Sequence, residues 1–90
     1  MASVDWTDQA LDEIDLIVAY IELFDPAAAA RIGARLVDLG DSLADFPRRG
    51  RPVTDDIREM TPVPPYILRY EIDDEVVRIL SVRHGARGPE

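Results

Sequence analysis

Tyr66-Ile67-Leu68-Arg69-Tyr70-Glu71-Ile72-Asp73-Asp74-Glu75-Val76-Val77-Arg78-Ile79-Leu80-Ser81-Val82 is the stretch that decides the fold. Tyr66, Leu68, Tyr70 and Ile72 alternate with Ile67, Arg69 and Glu71, the period of a strand with one buried face. Two aspartates interrupt the pattern and Val76 to Val82 resumes it, so the segment reads as a hairpin turning at Asp73-Asp74. A tight turn there pairs Ile72 with Glu75, Tyr70 with Val77 and Leu68 with Ile79, an apolar face for helices to cover. The same register sets Glu71 against Val76, Arg69 against Arg78 and Ile67 against Leu80 on the other face, where Val82 also falls. Opposed arginines repel, and Glu71, diagonal to Arg78, offsets part of that. Forked guanidinium groups among Ile67, Leu80 and Val82 suit a partner segment bearing carboxylates. The alternative is a solvated face whose long arginine stems cover the aliphatics.

Upstream of the hairpin, Ile57 to Val63 reads as another strand, closed by Pro62, Pro64 and Pro65. The run Arg48-Arg49-Gly50-Arg51-Pro52 reads as a basic loop after Pro47 stops a helix. Ala2 to Trp6 is a short strand, and Thr7 with Asp8 caps a helix over residues 8–24 with Ala10, Ile14, Ile17, Ile21 and Phe24 on one stripe. Asp25-Pro26 opens a second helix over residues 26–46, with Ile32, Leu36, Leu39, Leu43 and Phe46 facing inward. Gly33 and Gly40 share a face, placed either for close approach to the first helix or merely tolerated at the surface. The order is β-α-α-β-β-β: one α+β domain over residues 1–90, with a helical hairpin on one face of a mainly antiparallel sheet.

Ninety residues bury only about 60–65% of their unfolded surface, which argues against a deep enclosed cavity. Without cysteine there is no disulfide and no thiolate metal site; with no leader-like start and no long apolar run, the expectation is a soluble cytoplasmic domain. A net charge of -8 argues against general nucleic-acid binding. The charge is unevenly spread: eight of the ten basic residues, all arginines, follow position 47, and residues 1–30 hold seven acids and no base. That asymmetry points to a face built for a partner.

Catalytic signatures are sparse. His84 is the only histidine, there is no phosphate-cradling glycine loop or serine elbow, and neither metal nor cofactor is expected. Asp12 with Asp15, and Asp38 with Asp41 and Asp45, read as solvated helix faces. What remains is a basic cluster of Arg83, His84 and Arg87, joined by Arg51 and Arg58. It fits phosphate binding, phosphodiester chemistry or a basic rim.

Several segments in order carry a resemblance: Trp6; Asp15-Leu16-Ile17 through Tyr20-Ile21; Asp25-Pro26-Ala27-Ala28; Phe46-Pro47 before Gly50-Arg51; Ile57-Arg58-Glu59-Met60; Tyr66 and Tyr70; and Ile79-Leu80-Ser81-Val82-Arg83-His84-Gly85-Ala86-Arg87. From Val4 to Arg87 the chain resembles the RelE/ParE superfamily of type II toxin–antitoxin toxins. The resemblance implies the fold derived above and a hetero-oligomer with a cognate antitoxin whose extended or helical segment wraps the toxin. On this chain the antitoxin face would be Ile67, Arg69, Arg78, Leu80 and Val82. Of the two branches, one cleaves mRNA on the ribosome and the other inhibits DNA gyrase. The chain departs from the nuclease pattern: it has no lysine, Ile67 follows Tyr66 where nucleases commonly have arginine, and Gly85 follows His84. Only Arg58, Arg83 and His84 could serve a nuclease, as acid–base and phosphorane-stabilising groups. The reading therefore favours gyrase poisoning, with Arg51, Arg83 and Arg87 as target contacts. An mRNA interferase is the alternative, and an inactive antitoxin-binding relative the third.

Overall fold

The structure is a computed structural model, and it describes residues 1–85. Thr7 begins the first helix: its backbone is extended, its hydroxyl oxygen accepts from the Ala10 N–H at 3.2 Å, and its O–H donates to the Ile79 carbonyl at 2.7 Å. One side chain thus caps α1 (Asp8–Glu22) and ties it to the sheet. Asp25 caps α2 (Pro26–Asp41) in the same manner, accepting from Ala28 N–H at 3.1 Å, with Pro26 in the first turn. A single 3₁₀ turn, Ser42–Ala44, ends the helical half.

The strands are β1 (Ser3–Trp6), β2 (Arg51–Pro52), β3 (Ile57–Met60), β4 (Tyr66–Asp73) and β5 (Val76–His84). They form one sheet in the order β1-β5-β4-β3-β2, in which β1 runs parallel to β5 and every other pairing is antiparallel. The α+β class and the helical hairpin on one face are as expected. The short β2 lies inside the stretch read as a basic loop. β3 ends at Met60 rather than Val63, and α2 ends at Asp41 rather than 46.

Leu36, Leu43, Leu68, Tyr70, Val77, Ile79 and Val82 are the largest fully buried side chains, and they fill the space between helices and sheet. Phe24 and Phe46, expected in that core, are 74% and 63% exposed, because each lies beyond the end of its helix, where the apolar stripe no longer follows the helical period. A side chain at Gly33 would meet Val18 of α1, so that glycine does serve close helix approach. Gly40 instead makes room for the Trp6 ring and Ile79. Trp6 is further held by its ring N–H, which donates to Asp41 at 3.1 Å. Beyond Trp6, β1 no longer covers the edge of β5, and there Glu13 of α1 accepts from the Val82 N–H at 2.9 Å.

The hairpin register differs from the expected one. Asp74 adopts φ 60, a left-handed conformation that aspartate tolerates, so the two-residue turn is Asp74-Glu75 and Asp73 pairs with Val76. Each residue of β5 slides accordingly. Arg78 stands opposite Glu71, and Tyr70 opposite Ile79. A bulge then leaves Leu80 without a direct partner, so that Arg69 faces Ser81 and Leu68 faces Val82. The shift removes the arginine–arginine clash. The bulge restores the inward phase, so Val77, Ile79 and Val82 all reach the core.

Candidate functional site

Register sorts the arginines before any chemistry is considered. Arg51, Glu59, Arg69 and Ser81 form one row across β2, β3, β4 and β5 on the face away from the helices. Asp5, Arg78 and Glu71 form a second row. Within the first row Glu59 bridges two guanidinium groups, at 3.0 Å to Arg51 and 2.5 Å to Arg69. In the second, Arg78 sits 2.5 Å from Glu71 and 3.6 Å from Asp5. The hydrogen bond that Arg78 donates to Glu71 holds the guanidinium further toward its charged form. Arg69 and Arg78, expected to await a partner's carboxylates, are therefore engaged by this chain's own. Val82, placed on this face from the sequence, is 1% exposed on the opposite one and can contact no partner. Ile67 and Leu80 remain half-buried on the outer face.

The three residues that a nuclease would use are not brought together. Arg58 turns to the loop beside it, donating to the carbonyls of Gly50 at 2.6 Å and Arg48 at 3.1 Å. It is paired with Tyr70, whereas His84 is paired with Tyr66. That offset is four residues along β4, roughly 13 Å, and two strand spacings, roughly 10 Å. Arg83 and His84 are neighbours on one strand, so their side chains leave opposite faces. Arg83 lies exposed beside Ile67 on the outer face. His84 packs edge-on against Tyr66 with ring centroids 5.6 Å apart, on the helix side. Of the expected target contacts, Arg51 and Arg83 share the outer face, separated by three strand spacings, about 14 Å, and by two residues along β5, about 7 Å, and Arg87 lies outside the described residues.

The basic loop is held firmly. The buried Tyr70 hydroxyl donates to the Pro47 carbonyl at 2.8 Å and accepts from the Gly50 N–H at 2.9 Å. Burial raises the Tyr70 pKa above its ordinary 10.0, against the lowering effect of the Gly50 hydrogen bond and of Arg58, Arg49 and Arg48. A side chain at Gly50 would collide with that phenol, so the backbone approach needs glycine.

One surface escaped the sequence reading. Leu16, Tyr20, Leu23 and Phe24 are 69%, 65%, 76% and 74% exposed, a second apolar stripe along α1 and its end beside the buried one. Tyr20 and Phe24 meet edge to face at 5.3 Å. Leu16, Ile17 and Tyr20 form one wall of a groove of about 340 Å³ whose other wall is Tyr66 and His84. The signal was present in the spacing 16, 20, 23, 24, which follows the helical period as well as the buried set does. Every charged residue of α1 is an acid: Asp8, Asp12, Glu13, Asp15 and Glu22.

Comparison with known proteins agrees with this architecture. The family model described as "ParE toxin of type II toxin-antitoxin system, parDE" matches residues 4–89. Toxin RelE2 of Caulobacter vibrioides is 47% identical over 87 residues, which covers 97% of this chain and 99% of that protein. Toxin RelE1 of the same organism is 32% identical over 81 residues, 86% of each. Among solved structures, a chain of a chromosomal ParDE system from P. aeruginosa superposes with a TM-score of 0.80 over 93% of this chain and 96% of that one. At 20% identity, that likeness is one of fold.

Proposed function

The chain belongs to the ParE toxin family of type II toxin–antitoxin systems, and we propose that it arrests growth by binding DNA gyrase rather than by cutting mRNA. The observation that carries this reading is the separation of Arg58 from His84. Cleavage by acid–base chemistry needs one group to take the 2′-OH proton and another to stabilise the phosphorane, both within reach of one phosphodiester. Arg58 is instead occupied with two loop carbonyls at the other end of the sheet. A protein of net charge -8 is also poorly suited to ribosomal RNA.

The names of the relatives favour the second reading, ribosome-dependent mRNA cleavage, since the 47% identical protein is called RelE2. The family match is to ParE toxins. These two labels disagree, and the chemistry of this chain's own residues is the better guide. The deciding experiment sets the purified protein beside gyrase on plasmid DNA and beside a translating ribosome on mRNA. Disturbed supercoiling with intact message supports gyrase poisoning, and codon-positioned cleavage with normal supercoiling replaces it with the interferase. Silence in both assays leaves the third reading, an inactive antitoxin-binding relative.

We further propose that the cognate antitoxin, the partner implied for any member of the family, docks on the α1 stripe. Four large apolar side chains more than 60% exposed within three helical turns form the kind of patch that marks a protein interface. With only acids on α1, the docking segment would be an amphipathic one with basic flanks, read as anchors in the 340 Å³ groove. The outer face with Ile67, Arg69, Arg78 and Leu80 is the competing surface.

A further inference from the structure

We infer that the turn Phe46-Pro47-Arg48-Arg49 is a preformed contact for an acidic segment of the protein target, separate from the antitoxin surface. The turn is fixed at every main-chain position that matters. Phe46 N–H donates to Ser42 O at 3.1 Å, Arg49 N–H to Phe46 O at 3.2 Å, and Tyr70 holds Pro47 O and Gly50 N. Arg58 holds the carbonyls of Arg48 and Gly50. A buried phenol and a guanidinium are thus committed to the shape of four surface residues. A segment held in one conformation loses little freedom on binding.

What this rigid turn displays is chemically specific. Phe46 is 63% exposed, and with Pro47, Arg48 and Arg49 it lines a shallow hollow of about 340 Å³. Arg48 and Arg49 are exposed, and among the described residues neither is within ion-pair distance of a carboxylate; Arg49 reaches only the Ser42 hydroxyl, at 2.9 Å. Arg51, Arg69 and Arg78 of the outer face are neutralised by Glu59, Glu71 and Asp5, whereas these two are not. Asp45 flanks the turn and is exposed. An exposed aromatic ring beside two unneutralised arginines, on a chain otherwise acidic, matches the residue types that dominate protein interfaces. Its complement is an apolar anchor flanked by carboxylates. Nucleic-acid phosphates are the weaker match, because a duplex backbone offers charge but no apolar anchor for the exposed Phe46 ring.

The inference rests on the gyrase reading, and the test separates the two. Phe46→Ala and the pair R48E/R49E are each titrated against purified DNA gyrase, against the antitoxin and against a short fluorescent DNA duplex. A melting curve confirms folding, and R48Q/R49Q serves should charge reversal impair it. The expected result is at least about thirtyfold weaker gyrase binding for both variants, the scale of an interface hot spot, with antitoxin affinity unchanged. Equal gyrase binding by parent and variants overturns the inference and leaves gyrase as the target. Duplex binding by the parent that R48E/R49E abolishes overturns it in favour of a nucleic-acid contact. Lost antitoxin binding overturns it in favour of an antitoxin contact. If the parent itself ignores gyrase, that reading fails, and growth arrest decides the turn. Arrest lost in folded F46A with antitoxin binding intact retains the target contact, and unchanged arrest rejects it.

Discussion

The outer face of the sheet and the outer flank of α1 both carry side chains suited to a partner, and they differ in whether the chain can answer. On the outer face of the sheet three of the four arginines stand beside an acid one strand away, so Arg51, Arg69 and Arg78 find Glu59, Glu71 and Asp5 within the fold, while Arg83 faces Ile67. Leu16, Tyr20, Leu23 and Phe24 have no such recourse, because an apolar side chain is satisfied only by being covered. A charged face can close on itself, and an apolar stripe cannot. The stripe is therefore the better sign of a partner.

The largest effect expected from this contrast is on antitoxin binding. Leu16→Glu with Tyr20→Glu should remove about 2 kcal/mol or more per anchor while leaving the melting temperature almost unchanged, since both side chains are already exposed. Arg69→Glu with Arg78→Glu should do the reverse. Repulsion from Glu59 and Glu71 would lower stability, and antitoxin affinity would change by less than about threefold, as for rim charges. The opposite pattern in a calorimetric titration would return the antitoxin to the sheet.

Next in size is the latch beneath the basic loop. Tyr70→Phe leaves the Gly50 N–H and the Pro47 carbonyl without their partner, at about 1–3 kcal/mol. The same phenol gives stability a pH dependence. Its pKa is raised in the fold, so the unfolded chain ionises first; the contribution is complete below about pH 10 and is lost as pH rises through the folded value. Alkaline melting curves should show this fall in the parent and lack it in Tyr70→Phe.

How much of this was legible in the sequence depended on the range of the interaction. Caps and periods are local, so Thr7, Asp25, both helices and the strand faces could be read directly. The register was not, because one residue in the turn decides it: Asp74 at positive φ moves every pairing, and the Leu80 bulge returns Val82 to the core. That single shift converted an apparent arginine clash into two ion-pair rows and took Val82 off the face that carries Arg69 and Arg78. The α1 stripe was legible by spacing, but a helix with two apolar stripes does not say which is buried until the sheet is placed. Arg58 fell near where a nuclease needs a cation to stabilise the phosphorane. Only the fold shows it turned to the carbonyls of 48 and 50.

Smaller again is the cost of opening the outer face. Glu59→Gln removes the acid shared by Arg51 and Arg69, whose side chains are 73% and 40% exposed. Solvent screening of those two cations reduces the loss to about 1 kcal/mol. The variant should bind the antitoxin as the parent does. Tighter binding to an acidic antitoxin segment would mean that the face had been held shut by Glu59, and that the contrast between the two surfaces is one of degree.

The smallest effect, near zero, is predicted where the two surfaces approach each other. His84 closes one end of the α1 groove with Tyr66, Leu16, Ile17 and Tyr20, on the opposite face from Arg83 and far along the sheet from Arg58. A proton-transfer residue removed from an enzyme slows it about 10²–10⁴-fold. A ring that lines a groove wall away from Arg58 and Arg83 has no such consequence, so His84→Ala should still arrest growth once folding is confirmed. The readout is arrest on induction, scored beside message integrity and plasmid supercoiling. Arrest retained with disturbed supercoiling fits a binding poison. Arrest and codon-positioned cleavage lost together would make His84 the catalytic group of an interferase, and the distance to Arg58 would then have to be closed by a different cation, of which Arg83 is the nearest along the chain.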